Sequence, residues 1–147
     1  KIIILPGYSP HNREWALDIK KDLKLGHEVL VHEWLHWRQG SFSLPREIKS
    51  ILGKVGKDKV NIIAKSVGTR VAMHLVTKIP SQINKVILCG VPTKGESDAA
   101  KKTYSSGLSV LSPAQFMVFQ NTKDPFASFS DIKKFIGRNS FKQLQCF

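Results

Sequence analysis

The chain has 147 residues, close to the commonest size for one domain, so it can bury one sizeable core and hardly two. With 41% hydrophobic and 23% charged residues it lies in the normal globular range, which excludes a disordered, collagen-like or disulfide-scaffold protein. No apolar run approaches the roughly 20 residues of a membrane span, and Cys89 and Cys146 stand in no zinc-binding spacing. The expectation is a chain with no metal, no cofactor and no membrane helix, in a reducing, cytoplasmic compartment.

Lys and Arg number 23 against 11 Asp and Glu, a net charge of +12 that favours anionic partners. The basic residues are scattered in ones and twos, as at Lys20-Lys21 and Lys133-Lys134, and are not interleaved with aromatics, which disfavours a nucleic-acid role. Oligomeric state is not legible.

Ile2 to Leu5 is a short apolar run ended by Pro6-Gly7, the pattern of a buried parallel strand entering a tight loop. From Asn12, the residues Trp15, Ala16, Ile19 and Leu23 recur at helical spacing, with Gly26 as the stop. Glu28 to Trp34 predicts a second strand, and Pro45 opens a helix with Ile48, Ile51, Leu52 and Val55 on its apolar face, ending near Gly56. Val60 to Ala64 predicts a third strand, and the helix that follows carries Val71, Leu75 and Ile79 and closes at Pro80. Lys85 to Cys89 and Phe116 to Phe119 predict two more strands. A helix with Ile132, Phe135 and Ile136 then runs to Gly137, and Phe141 to Phe147 suits a last strand. Residues 93–113, rich in Ser, Lys and Gly with a weak helical signal, read as an irregular, mobile connection and a candidate lid.

Alternating strands and helices in one domain predict a three-layer α/β sandwich with a mostly parallel sheet of about six strands and a functional edge at the strands' carboxyl ends. The sequence A-K-S-V-G, Ala64 to Gly68, falls between a strand and a helix at that edge. A turn sharp enough to lift Ser66 off the sheet needs small residues two before and two after it, and Ala64 and Gly68 supply them. The same residues also suit an ordinary turn with Ser66 as a helix cap. Gly7 lies after the first strand, where close chain approach is useful, or is only a turn glycine. Asp124 sits after the fifth strand, where a carboxylate could orient a histidine, or is only the turn former of K-D-P.

In this order the chain resembles the α/β-hydrolase superfamily, in particular small serine hydrolases without a large cap domain. I-I-I-L-P-G-Y is similar to its first strand and oxyanion loop, V-N-I-I-A-K-S-V-G-T to its strand, elbow and helix, and F-M-V-F-Q-N-T-K-D-P to its acid-bearing strand and loop. The resemblance implies Ser66 as nucleophile, Asp124 as triad acid, and the backbone N–H groups of Val67 and Tyr8 as oxyanion hole. It implies an esterase or thioesterase acting on a small-molecule acyl substrate, with no cofactor. Pro6 and Ala64 are variants of the family's usual residues at those places.

No histidine follows His74, whereas the family's general base lies beyond the acid. Three explanations stand open: the natural C-terminal end, with the base, lies beyond Phe147; a base is recruited from His11 or His36; or the chain is a catalytically inactive binding protein with anionic partners. His27, His32 and His74 read as structural or solvent-facing. Trp34 reads as core, and Trp37 is left open.

Overall fold

The computed structural model describes residues 1–137 and the backbone of Leu144–Cys146. The chain runs β1 (Ile2–Leu5), α1 (Asn12–Asp22), β2 (Val29–Val31), a 3₁₀ turn (Leu35–Trp37), α2 (Leu44–Val55), β3 (Val60–Lys65) and α3 (Val67–Lys78). It continues through β4 (Ile83–Cys89), α4 (Asp98–Val110), β5 (Phe116–Gln120), α5 (Phe129–Ile136) and β6 (Leu144–Cys146). Every strand pairing is parallel, in the order β2-β1-β3-β4-β5-β6. The expected α/β sandwich is present, with five strands making up the body of the sheet and a three-residue sixth added at its edge.

Strand order places the helices. The step from β1 to β2 moves one way across the sheet and every later step moves the other way. Right-handed crossovers therefore put α1 on one face and α2, α3, α4 and α5 on the opposite face. The four-helix side holds the core: Ile3, Leu5, Ile62, Ala64, Val86 and Leu88 meet α3, whose Val71, Ala72, Leu75 and Val76 are buried. On the α1 side, Ile63, Ile87 and Phe119 are only half-buried and Met117 is exposed, because one helix cannot cover a sheet this wide.

Local signals account for most helix ends. Pro45 lies in the first turn of α2, and Gly56, with φ of 63°, ends it. Ser128 and Asp131 form a reciprocal capping box on α5. Two expectations are corrected. The second strand is three residues long instead of Glu28 to Trp34, because the chain turns at Trp34, which is fully buried, as expected of a core residue. The connection read as irregular over 93–113 contains the 13-residue helix α4, capped by Ser97 accepting from the Ala100 N–H at 3.2 Å. The helix packs on α3 through buried Tyr104, and Gly107 comes so close to Met73 that a methyl group there would lie 2.7 Å from its sulfur. Phe147 lies outside the described residues.

Candidate functional site

The carboxyl ends of the strands align at one edge, with Leu5 beside Ala64, Lys65 beside Cys89, and Cys89 beside Phe119. Ser66 follows β3 there, its N–H donating to Cys89 O at 3.0 Å. It has φ 52° and ψ −121° and is the only non-glycine residue with positive φ among the described residues. Such a conformation costs about 1–3 kcal/mol and persists only where the surroundings enforce it. Here β3 and α3 do so, α3 beginning at the very next residue. The side chain makes no capping bond to α3, so the cap explanation for Ser66 does not hold.

Close chain approach joins the elbow to the loop after β1. A Cβ at Gly68 would collide with the Leu5 carbonyl oxygen and lie 2.8 Å from Pro6 O, so the first turn of α3 rests directly on backbone leading to Tyr8. Val67 opens α3, and a first-turn N–H has no intrahelical acceptor. The Tyr8 N–H likewise donates to no acceptor among the described residues. Thr69, fully buried, secures the elbow from behind: its hydroxyl donates to Ser66 O at 2.6 Å and meets the Tyr104 hydroxyl at 2.7 Å.

Asp124 lies in the loop after β5. Its Oδ1 accepts the Phe126 N–H at 2.8 Å, which is the turn-forming role, while Oδ2 faces Gly90, 3.5 Å from where a Cβ there would stand. The loop is held from below by fully buried Gln120, whose Oε1 accepts from the Val91 N–H at 2.8 Å and whose Nε2 donates to Ala127 O at 2.6 Å. Between Lys65, next to the serine, and Asp124 opens a cavity of about 560 Å³, lined also by Trp15, Cys89 and Phe119. Lys65 caps the Trp15 ring at 5.2 Å, and burial pushes the Cys89 thiol up to about 11, so this cysteine is no nucleophile at neutral pH.

The two candidate bases differ. His11 is exposed at the start of α1. His36 is committed to the loop after β1, with Nε2 3.0 Å from Tyr8 O and its ring stacked on Tyr8 at 4.5 Å. Trp37, left open by its sequence, donates from Nε1 to the same oxygen at 2.7 Å, and Trp34 donates to Gly7 O at 3.0 Å and Pro6 O at 3.2 Å. Among the described residues no cluster of three His, Cys, Asp or Glu could hold a metal, and no helix is long and apolar enough to cross a membrane.

The turn bearing these rings is anchored by a buried charged network. Glu47 Oε1 accepts the Leu35 N–H at 2.9 Å, and Oε2 lies 2.8 Å from His32 Nε2, both side chains being fully buried. Lys54 approaches His32 Nδ1 at 3.2 Å, and an ammonium can only donate, so the His32 proton sits on Nε2 and points at Glu47. Burial lowers the His32 pKa below 6.5, the Glu47 hydrogen bond opposes this, and the Lys54 charge adds to it. The unfolded chain then binds a proton near 6.5 that the native chain refuses, so this group's contribution to stability is complete above about pH 6.5 and is lost as pH falls below it. Urea titrations from about pH 7.5 down to 5 should show stability declining, with a shallower decline in His32→Gln. An equal slope in both chains would contradict the assignment.

No family model matches the chain. It is 30% identical over 108 residues to 2-hydroxy-6-oxononadienedioate/2-hydroxy-6-oxononatrienedioate hydrolase 1 of Dechloromonas aromatica (strain RCB), a match covering 65% of the chain and 37% of that protein. The chain thus spans well under half of that curated relative's length. Among solved structures it is similar to 2-hydroxy-6-oxo-6-phenylhexa-2,4-dienoate hydrolase from Rhodococcus sp. strain RHA1, with TM-score 0.67, 14% identity, and coverage of 99% of this chain and 80% of that one. It is also similar to MGS-M2, an α/β-hydrolase enzyme from a Medee basin deep-sea metagenome library, with TM-score 0.59, 13% identity, and coverage of 99% and 79%. With a parallel sheet in this order and a strained turn between β3 and α3, and with these likenesses, the chain has the α/β-hydrolase fold.

Proposed function

We propose that the chain carries the nucleophile and acid of a serine hydrolase that cleaves esters or thioesters through an acyl-enzyme on Ser66. The observation that carries this is the strained backbone of Ser66, at φ 52°, with a hydroxyl that caps nothing. A structural turn at this place would gain nothing from that cost.

In this mechanism Ser66 Oγ attacks the acyl carbonyl carbon as an imidazole takes its proton. The oxyanion receives the N–H groups of Val67 and Tyr8, at the free helix end and the loop against it. Collapse expels the alcohol or thiol, protonated by the imidazolium, and water attacks the acyl-enzyme by the reverse proton path. Asp124 Oδ2 holds the imidazole's other N–H. We place that imidazole in the cavity beside Asp124 and outside the 147 residues, since His36 is spent on Tyr8 O and His11 lies exposed at the start of α1. The 93–113 segment serves in this reading as a fixed helical layer, because Tyr104 ties it to Thr69.

A fluorophosphonate probe, applied with excess free imidazole to supply the base, tests the assignment. Ser66 should be labelled and Ser66→Ala should not, with peptide mapping to residue 66. Labelling at another residue, or none, leaves the inactive binding protein as the better reading. The substrate panel should include a 2-hydroxy-6-oxo-dienoate beside simple esters and thioesters, because two of the similar proteins are named for hydrolysing such acids.

A further inference from the structure

The Gly7 carbonyl and the Tyr8 N–H belong to one peptide unit. Among the described residues no peptide is cis, so these two groups point in opposite directions and any restraint on the carbonyl is a restraint on the N–H. Gly7 makes the restraint necessary, since a peptide plane beside glycine can rotate at little steric cost. The Trp34 indole supplies it, donating to Gly7 O at 3.0 Å and Pro6 O at 3.2 Å. Trp34 cannot follow a moving loop: it is fully buried, with its ring edge-on to His32 at 4.7 Å and to Phe42 at 5.6 Å. Donation to the carbonyl also polarises the peptide and makes its N–H a better donor.

We propose that Trp34 is the positioning residue of the oxyanion hole, its indole N–H fixing the Gly7–Tyr8 peptide plane so that the Tyr8 N–H stays turned out for a developing oxyanion. Trp37 and His36 hold the following peptide plane by their bonds to Tyr8 O, and Glu47 holds the turn that carries all three rings through the Leu35 N–H. The proposal rests on the reading of Ser66 as nucleophile and Tyr8 as oxyanion donor.

Trp34→Phe keeps an aromatic ring in the core and removes the donor together with part of the indole's volume. Two readouts, taken with free imidazole present, separate positioning from mere folding: the saturating rate of Ser66 labelling by a fluorophosphonate, and the Tyr8 amide proton and nitrogen shifts on adding phenylboronic acid, which becomes a tetrahedral oxyanion mimic when Ser66 Oγ adds to its boron. Loss of a whole oxyanion donor costs roughly 10²–10³-fold, so its misorientation should slow labelling by about tenfold or more with little change in probe affinity. The boronate-induced Tyr8 shift should shrink in the same variant. Trp37→Phe, acting on the neighbouring plane, should slow labelling by a smaller factor. A folded Trp34→Phe chain with unchanged labelling rate and unchanged Tyr8 shift overturns the proposal and leaves the Ser66 reading intact. Absence of Ser66 labelling in the unaltered chain with free imidazole present overturns that reading and the proposal with it. If Trp34→Phe does not fold, the unaltered chain decides: a Tyr8 amide that ignores the boronate overturns the proposal, and one that responds, less so in Trp37→Phe, supports it.

Discussion

Gly68→Ala is expected to lower stability by about 3 kcal/mol and to abolish labelling of Ser66 in whatever fraction remains folded. The added methyl would overlap the Leu5 carbonyl oxygen and approach its carbon and Pro6 O to 2.8 Å, all of them backbone atoms. A flexible side chain could swing aside, but β1 is paired on both edges and its four residues are buried, so it cannot. Relief has to come from α3, whose first turn would lift off the loop. That movement separates the Val67 and Tyr8 N–H groups and relaxes the turn at Ser66. Thermal unfolding and labelling together check this: a variant as stable and as reactive as the parent would mean that the contact is softer than its geometry.

Free imidazole should raise the Ser66-dependent hydrolysis of an activated ester by the 147-residue chain about tenfold to a hundredfold, after subtraction of the rate measured with Ser66→Ala. A positioned general base is worth roughly 10²–10⁴-fold, and a diffusing one forfeits part of that because it must be captured and oriented at each turnover. The cavity of about 560 Å³ between Lys65 and Asp124 has room for such a ring. Asp124→Asn should blunt the rescue, since the amide cannot hold the imidazole in the same tautomer. Strong turnover without imidazole, lost in His11→Ala or His36→Ala, would show that the base is recruited from within the chain.

The sheet and its helices were legible in the sequence because short continuous apolar runs bounded by glycine and proline report strands buried on both faces, and 3.6-residue periodicity reports helices. Helix α4 reads as an irregular connection because the Ser and Lys content of its exposed face masks a narrow apolar stripe, Ala100, Tyr104, Gly107 and Leu111, behind the Ser97 cap. The end of β2 was not legible. E-V-L-V-H-E-W alternates like a strand, yet the indole of Trp34 finds its acceptors on Pro6 and Gly7, and the chain turns there to reach them.

The candidate nucleophile, acid and loop were named from residue type and order, since small neighbours at Ala64 and Gly68 and a carboxylate after β5 are local facts. What only the tertiary structure decided is how those parts are held. His32, Glu47 and Lys54 are spread over 23 positions of sequence and meet because the segment that follows β2 lies against α2. The same is true of Trp34, His36 and Trp37 against the loop of residues 6–8, some 28 positions away. Hydrogen bonds of this kind carry no periodicity and no spacing rule. They depend on which strands become neighbours, and burial then makes every donor and acceptor left in the interior find a partner.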